Sequence, residues 1–155
     1  TMAVESHSRR ILGFKVAQMP AKGKLAQISR AKYGFRKDER PQARIKLFRE
    51  ILPFVKVGAL IKTDQSPHYS GDIKKFFPLS EHFAFKGKRG CITGQGELKK
   101  GGFDPLFTLN HTYAMLRANI NRLARRTWCT TKNKDRLADH IAIYAVFHNQ
   151  VLLNL

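Results

Sequence analysis

At 155 residues, with 43% hydrophobic residues and a mean hydropathy of -0.37, the chain has the length and apolar content of one domain with a buried core, which excludes a disordered tail. No apolar run approaches the roughly 20 residues needed to cross a bilayer, and the N-terminus lacks the short basic stretch and apolar run of a signal peptide. A formal net charge of +18 and a pI near 10.4 exceed what solubility requires and point to a polyanion, nucleic acid first, with an acidic protein or a membrane surface as alternatives.

Thr1 to Glu5 reads as the end of a strand and Ile11 to Ala17 as the next, with the turn at Ser6 to Arg9. The period-two pattern puts Leu12, Phe14 and Val16 on one face and Ile11, Gly13 and Lys15 on the other. Residues 20 to 40 read as a basic loop, with Lys22, Lys24, Arg30, Lys32, Arg36, Lys37 and Arg40 around Tyr33 and Phe35. Such a segment suits phosphate contact with base stacking, or else a solvated excursion.

Pro41 opens a helix running to about Val55, with Ala43, Leu47, Ile51 and Leu52 as its apolar stripe. Gly58 to Asp64 is expected as a buried strand ending in a carboxylate, residues 68 to 77 as a short helix, and His82 to Lys86 as another strand. Lys86 to Gly90 and Lys99 to Gly102 are basic, glycine-rich loops. The last third reads as helical: one helix is capped by Thr108 or Asn110 and runs to about Arg125, and a second spans roughly Asn133 to Leu152, with Leu137, Ile141, Tyr144, Ala145 and Val151 on its apolar side. Strands followed by helices, with a helix crossing between hairpin and central strand, predict an α/β class.

Asp64 is the most informative position, because a carboxylate at the carboxyl end of a strand in an α/β sheet lies where open sheets place functional groups. Its structural alternative is a turn-capping role ahead of Ser66 and Pro67. Carboxylate oxygen suits Mg²⁺, and phosphoryl transfer needs two or three such ligands. Cys91 and Cys129 form no CxxC pair, so neither a disulfide framework nor a structural zinc site is indicated, and the six histidines do not cluster.

The blocks RRILGFKVAQMPAKG, IKTDQSPHY, GQGEL, FDPLFTLNH, NRLARRTWCTTK and YAVFHN together resemble bacterial insertion-sequence transposases of the DDE superfamily. The resemblance covers nearly the whole chain. It implies one catalytic domain over 1–155 with an RNase H-like mixed sheet flanked by helices and a helical C-terminal third. It also implies DNA transposition with Mg²⁺, or Mn²⁺ in its place, DNA partners in the form of transposon ends and target, a homo-oligomer on that DNA, no membrane, and a bacterial cytoplasmic, nucleoid-associated location.

Asp64 matches the second Asp of the family. The first would lie on a strand ahead of Thr1, and Glu5, in the turn, does not take its place. The expectation is therefore a truncated domain lacking its first strand and inactive alone. Glu97, Asp104 and Asn110 compete as third ligand; Asn110 is preferred, with Arg117 seven residues on and on the same helix face, while Glu97 is the less favoured ligand and an N-cap the structural role open to Asn110. Lys22, Lys24, Arg36, Lys37, Lys88, Arg89, Arg122, Arg125, Arg126 and Lys132 are the expected DNA contacts, and Trp128 an expected core residue. Two other classes compete: a non-catalytic nucleic-acid-binding remnant, and an RNase H-type nuclease with another acid beside Asp64.

Overall fold

In the computed structural model, which describes residues 1–86, 103–120, 123 and 133–154, the chain opens with an antiparallel hairpin of β1 (Met2–Val4) and β2 (Ile11–Phe14). Its turn is held by hydrogen bonds from Glu5 N–H to the Arg10 carbonyl and from Arg9 N–H to the Glu5 carbonyl, both 2.9 Å. The register slips between Ala3 and Val4, which pair with Gly13 and Ile11, so Leu12 is a bulge residue. This corrects the expected faces. The extra residue resets the alternation, so that Ile11 joins Phe14 and Val16 in one cluster while Leu12 packs with Ala3 in the other.

The basic segment is not wholly loop, since it contains the helix α1 (Ala26–Tyr33), ended by Gly34 at φ 73°. Pro20, Gly23, Gly34 and the run of cations read as a loop, but eight residues between the two glycines form a helix, none of them buried. The next helix, α2 (Arg40–Ile51), has Pro41 in its first turn, where a missing N–H costs nothing. It buries Ala43, Leu47, Phe48 and Ile51. It stops earlier than expected because Pro53 tightens the following residues into a 3₁₀ turn at Leu52–Phe54, and Leu52 is exposed rather than part of the stripe.

β3 (Leu60–Asp64), α3 (Pro67–Phe76) and β4 (Glu81–Phe85) form a strand-helix-strand unit in which the strands pair in parallel from Leu60 opposite Glu81 to Asp64 opposite Phe85. The expected burial of β3 holds only for Thr63; Leu60 and Asp64 are exposed. Among the described residues the four strands form two ladders, β1 with β2 and β3 with β4.

α4 (Phe107–Asn119) begins ahead of both proposed caps, so Asn110 lies inside its first turns and is not the N-cap. It closes before the expected end at Arg125, with Ile120 already extended. α5 (Lys134–Phe147) starts where expected and is capped by Asn133, whose side chain accepts hydrogen bonds from the Asp135 and Arg136 N–H groups at 2.9 and 3.3 Å. The helix then widens into a π turn at His148–Leu152, which turns Val151 out to solvent instead of into the apolar side.

The architecture is mixed α/β, with the hairpin between two apolar clusters. On one face Ile11 packs with Leu116 and Ile120, from α4 and its end, and with Ile141 and Tyr144 of α5. On the other, Leu47, Phe48 and Ile51 of α2 meet Ile73 and Phe77, joined by Leu12 and Ile61. Gly13 permits the close approach of α2, since a Cβ there would lie 3.0 Å from Leu47 Cδ1 and 3.2 Å from Ile51 Cγ2.

Asn149 ties the C-terminal turn to β2: its Oδ1 accepts from Ile11 N–H at 2.9 Å and its Nδ2 donates to the Ile11 carbonyl at 3.0 Å. Beside it, buried His148 lies 3.1 Å from the Arg9 carbonyl through Nε2, which must therefore donate, and 3.3 Å from the Tyr144 hydroxyl through Nδ1. Asn149→Ala removes both partners of Ile11 and is expected to lower the unfolding free energy by about 1–2 kcal/mol in urea titrations. An unchanged midpoint would show that the clamp adds nothing to stability.

Candidate functional site

The carboxylate of Asp64 reaches its position because β3 ends there and Pro67 starts α3 three residues later. Asp64 Oδ1 accepts the Ser66 N–H at 3.1 Å, the turn-capping role foreseen for it. The strand end is braced from below: Thr63 Oγ1 donates to the Asp64 carbonyl at 2.8 Å and, having spent its proton, accepts from His82 Nε2 at 2.8 Å.

Asp64 opens onto a cleft of about 2700 Å³. One wall is β1 and the other is β3, with Leu47, Phe48 and Ile51 of α2 and Leu109 and Tyr113 of α4 also lining it. Each of those two strands pairs with only one neighbour among the described residues, so both present an open edge to the same space. Asn110, Arg117 and Asp104 line this cleft as well. Asp64, Asn110 and Arg117, three of the four residues named for catalysis from the sequence, thus line one large cleft, although they come from distant parts of the chain.

Asp104 organises the α4 side. Its Oδ1 accepts from Leu106 N–H at 3.1 Å and its Oδ2 from Asn110 Nδ2 at 2.9 Å. Because the amide nitrogen of Asn110 is turned to Asp104, its Oδ1 is the atom left to meet a cation. Tyr113, one turn beyond Asn110, is the residue that sequence reasoning missed, although the helical spacing of 110, 113 and 117 carried the signal. Burial pushes its phenol up to about 12, helped by the nearby charges of Tyr69 and Asp64.

Mg²⁺ prefers hard oxygen donors. The Asp64 carboxylate and the Asn110 amide oxygen have the right chemistry, but they supply one negative charge between them, and among the described residues no three His, Cys, Asp or Glu side chains group to hold a metal ion. The set fits as part of a site, short of a carboxylate.

Of the expected DNA contacts, Lys22, Lys24 and Lys37 are exposed on the segment around α1, and Arg36 is half-buried with its guanidinium 5.4 Å from the Tyr33 ring centroid. Lys88, Arg89, Arg122, Arg125, Arg126, Lys132 and the alternative ligand Glu97, with Trp128, lie outside the described residues. No helix of the described residues is long and apolar enough to cross a membrane. The chain matches no protein-family model, no curated protein and no solved structure.

Proposed function

We propose that this chain carries an RNase H-like catalytic domain of a DDE-type DNA transposase, acting on transposon ends and target DNA as a homo-oligomer. The observation that carries the reading is the gathering of Asp64, Asn110 and Arg117 around one cleft. The net charge of +18 and the order of elements, a hairpin, a crossing helix and then a strand tipped by a carboxylate, support it further.

In this reading β1 with β2 and β3 with β4 are two parts of one mixed sheet, and the cleft that both line is the catalytic cleft. Asp64 and Asn110 would hold Mg²⁺, or Mn²⁺, and Arg117 would face the phosphate undergoing substitution. The bound metal would supply activation of the attacking oxygen and stabilisation of the leaving one. Asp104 keeps Asn110 oriented, and the neutral phenol of Tyr113 presents a hydrogen-bond donor beside Asp64.

The 155 residues alone are expected to give no strand transfer on terminal-repeat DNA with Mg²⁺, and to bind Mn²⁺ weakly in the cleft. Paramagnetic broadening by Mn²⁺ should fall on the Tyr113 and Asn110 resonances and vanish in Asp64→Asn. Robust strand transfer by this chain would overturn the expectation that an essential carboxylate is missing, and broadening indifferent to Asp64→Asn would overturn the metal site and with it the reading. A second reading, a nucleic-acid-binding remnant without catalysis, is favoured by the hydrogen bonds that already occupy Asp64 Oδ1 and both Asp104 oxygens. Its signature is salt-sensitive binding that Asp64→Ala leaves unchanged.

A further inference from the structure

Residues 19–38 leave the domain and return to it at one point. The Glu39 N–H donates to the Gln18 carbonyl at 3.0 Å, the Gln18 N–H donates to Glu39 Oε2 at 3.2 Å, and Lys134 Nζ holds the other oxygen of Glu39 at 2.9 Å. These contacts, the Lys134 bond first, hold the Glu39 carboxyl below its ordinary range.

The arm so formed carries α1, which buries nothing, and shows five large side chains to solvent: Met19 at 46% exposure, Leu25 at 70%, Ile28 at 65%, Tyr33 at 43% and Phe35 at 78%. Folding alone does not account for apolar side chains grouped on a segment without a core, and such groups mark binding surfaces. The arm's charge identifies the occupant. It bears Lys22, Lys24, Arg30, Lys32, Arg36 and Lys37 against the single acid Asp38, which is bound by Arg40.

Tyr33 already carries two cations over its ring, Lys32 Nζ at 5.5 Å and the Arg36 guanidinium at 5.4 Å. Phe35 follows Gly34, whose φ of 73° and ψ of 179° belong to a region that side-chain-bearing residues avoid, so the backbone turns sharply and sets the ring out from the helix end. An outward aromatic face flanked by cations matches an unpaired base with its phosphates, whereas in a duplex the base faces are already stacked.

We infer that the arm 19–38 binds unpaired bases of single-stranded DNA, with Phe35 as the stacking face and Lys32, Arg36 and Lys37 holding the flanking phosphates. The inference deepens the DNA-processing role proposed above and rests on it for its context. Its test needs no metal and no turnover, so the two can fail separately.

The experiment measures binding of the full chain to an oligothymidine of about 20 nucleotides and to a duplex of the same length at fixed salt. Phe35→Ala should weaken the oligothymidine complex roughly 5- to 100-fold, the loss of one stacked base, and leave the duplex within about twofold. Its salt slope should match the parent's, because no charge is removed, whereas an Arg36→Ala, Lys37→Ala double variant should flatten the slope by about 1.4. Phe35→Trp should keep the affinity and show indole quenching on binding beyond that of the parent chain.

Unaltered thermal unfolding of Phe35→Ala is expected from the exposure of the ring and keeps the binding loss interpretable. Equal losses on single strand and duplex, no loss at all, or a Phe35→Ala defect confined to vesicles of anionic phospholipid would each overturn the inference.

Discussion

Leu47→Ala is expected to lower the unfolding free energy by about 3 kcal/mol, measured by urea denaturation, while Leu52→Ala stays within about 0.5 kcal/mol of the parent. The two leucines belong to one apolar stripe by sequence spacing, but Leu47 is 1% exposed and Leu52 45%. Leu47 sits where α2 meets the hairpin, its Cδ1 over the Gly13 Cα and its neighbours Phe48 and Ile51 in the same cluster. Truncation leaves a void that packed backbone cannot fill, so a cavity cost adds to the lost transfer energy. The cleft also touches Leu47. Water reaching the new void through the cleft would bring the loss toward the lower end of the usual 2–5 kcal/mol range for such truncations. A loss at Leu52 equal to that at Leu47 would mean that the stripe continues past Pro53 and that the 3₁₀ turn does not redirect it.

What the sequence made legible follows from how local each signal was. The prolines at 41 and 67 announced the starts of α2 and α3 because their fixed φ and missing N–H act at the residue itself. Asn133 announced α5 in the same way, through a side chain that meets N–H groups two and three residues on. The bulge at Leu12 was hidden because both Leu12 and Ile11 are apolar, so a one-residue shift changes which cluster each enters without changing the pattern. α1 was hidden because it is only eight residues long and lies among the breakers Pro20, Gly23 and Gly34, whose local signal is that of a loop. At the site, Asp64 could be read from a strand ending, and Asn110 with Arg117 only through the family resemblance; helical spacing put Tyr113 on the same face but did not show what it faces. Its significance lies in its burial and in the reach of the Asp64 charge, relations between chain segments that no local pattern records.

Burial of Tyr113 gives the second large effect, in alkaline solution. Tyr113 has its phenol raised from the ordinary 10.0 to about 12, first by burial and then by the charges of Tyr69 and Asp64, so the folded state resists the phenolate more than the unfolded chain does. The stability this represents is complete below the unfolded value and disappears as pH rises from about 10 to about 12, amounting to on the order of 3 kcal/mol at full ionisation. Tyr144, raised by burial as well, adds a loss of the same sign. Tyr113→Phe should therefore flatten the fall in urea midpoint over this window relative to the parent chain. Asp64→Asn should shift the Tyr113 tyrosinate absorbance to lower pH, because one of the negative charges opposing ionisation is gone. Tyr113 titrating at its ordinary value, with no response to Asp64→Asn, would place the phenol in water and away from the carboxylate. The observed direction of that shift thus tests the geometry of the cleft itself, independently of any metal or DNA bound there.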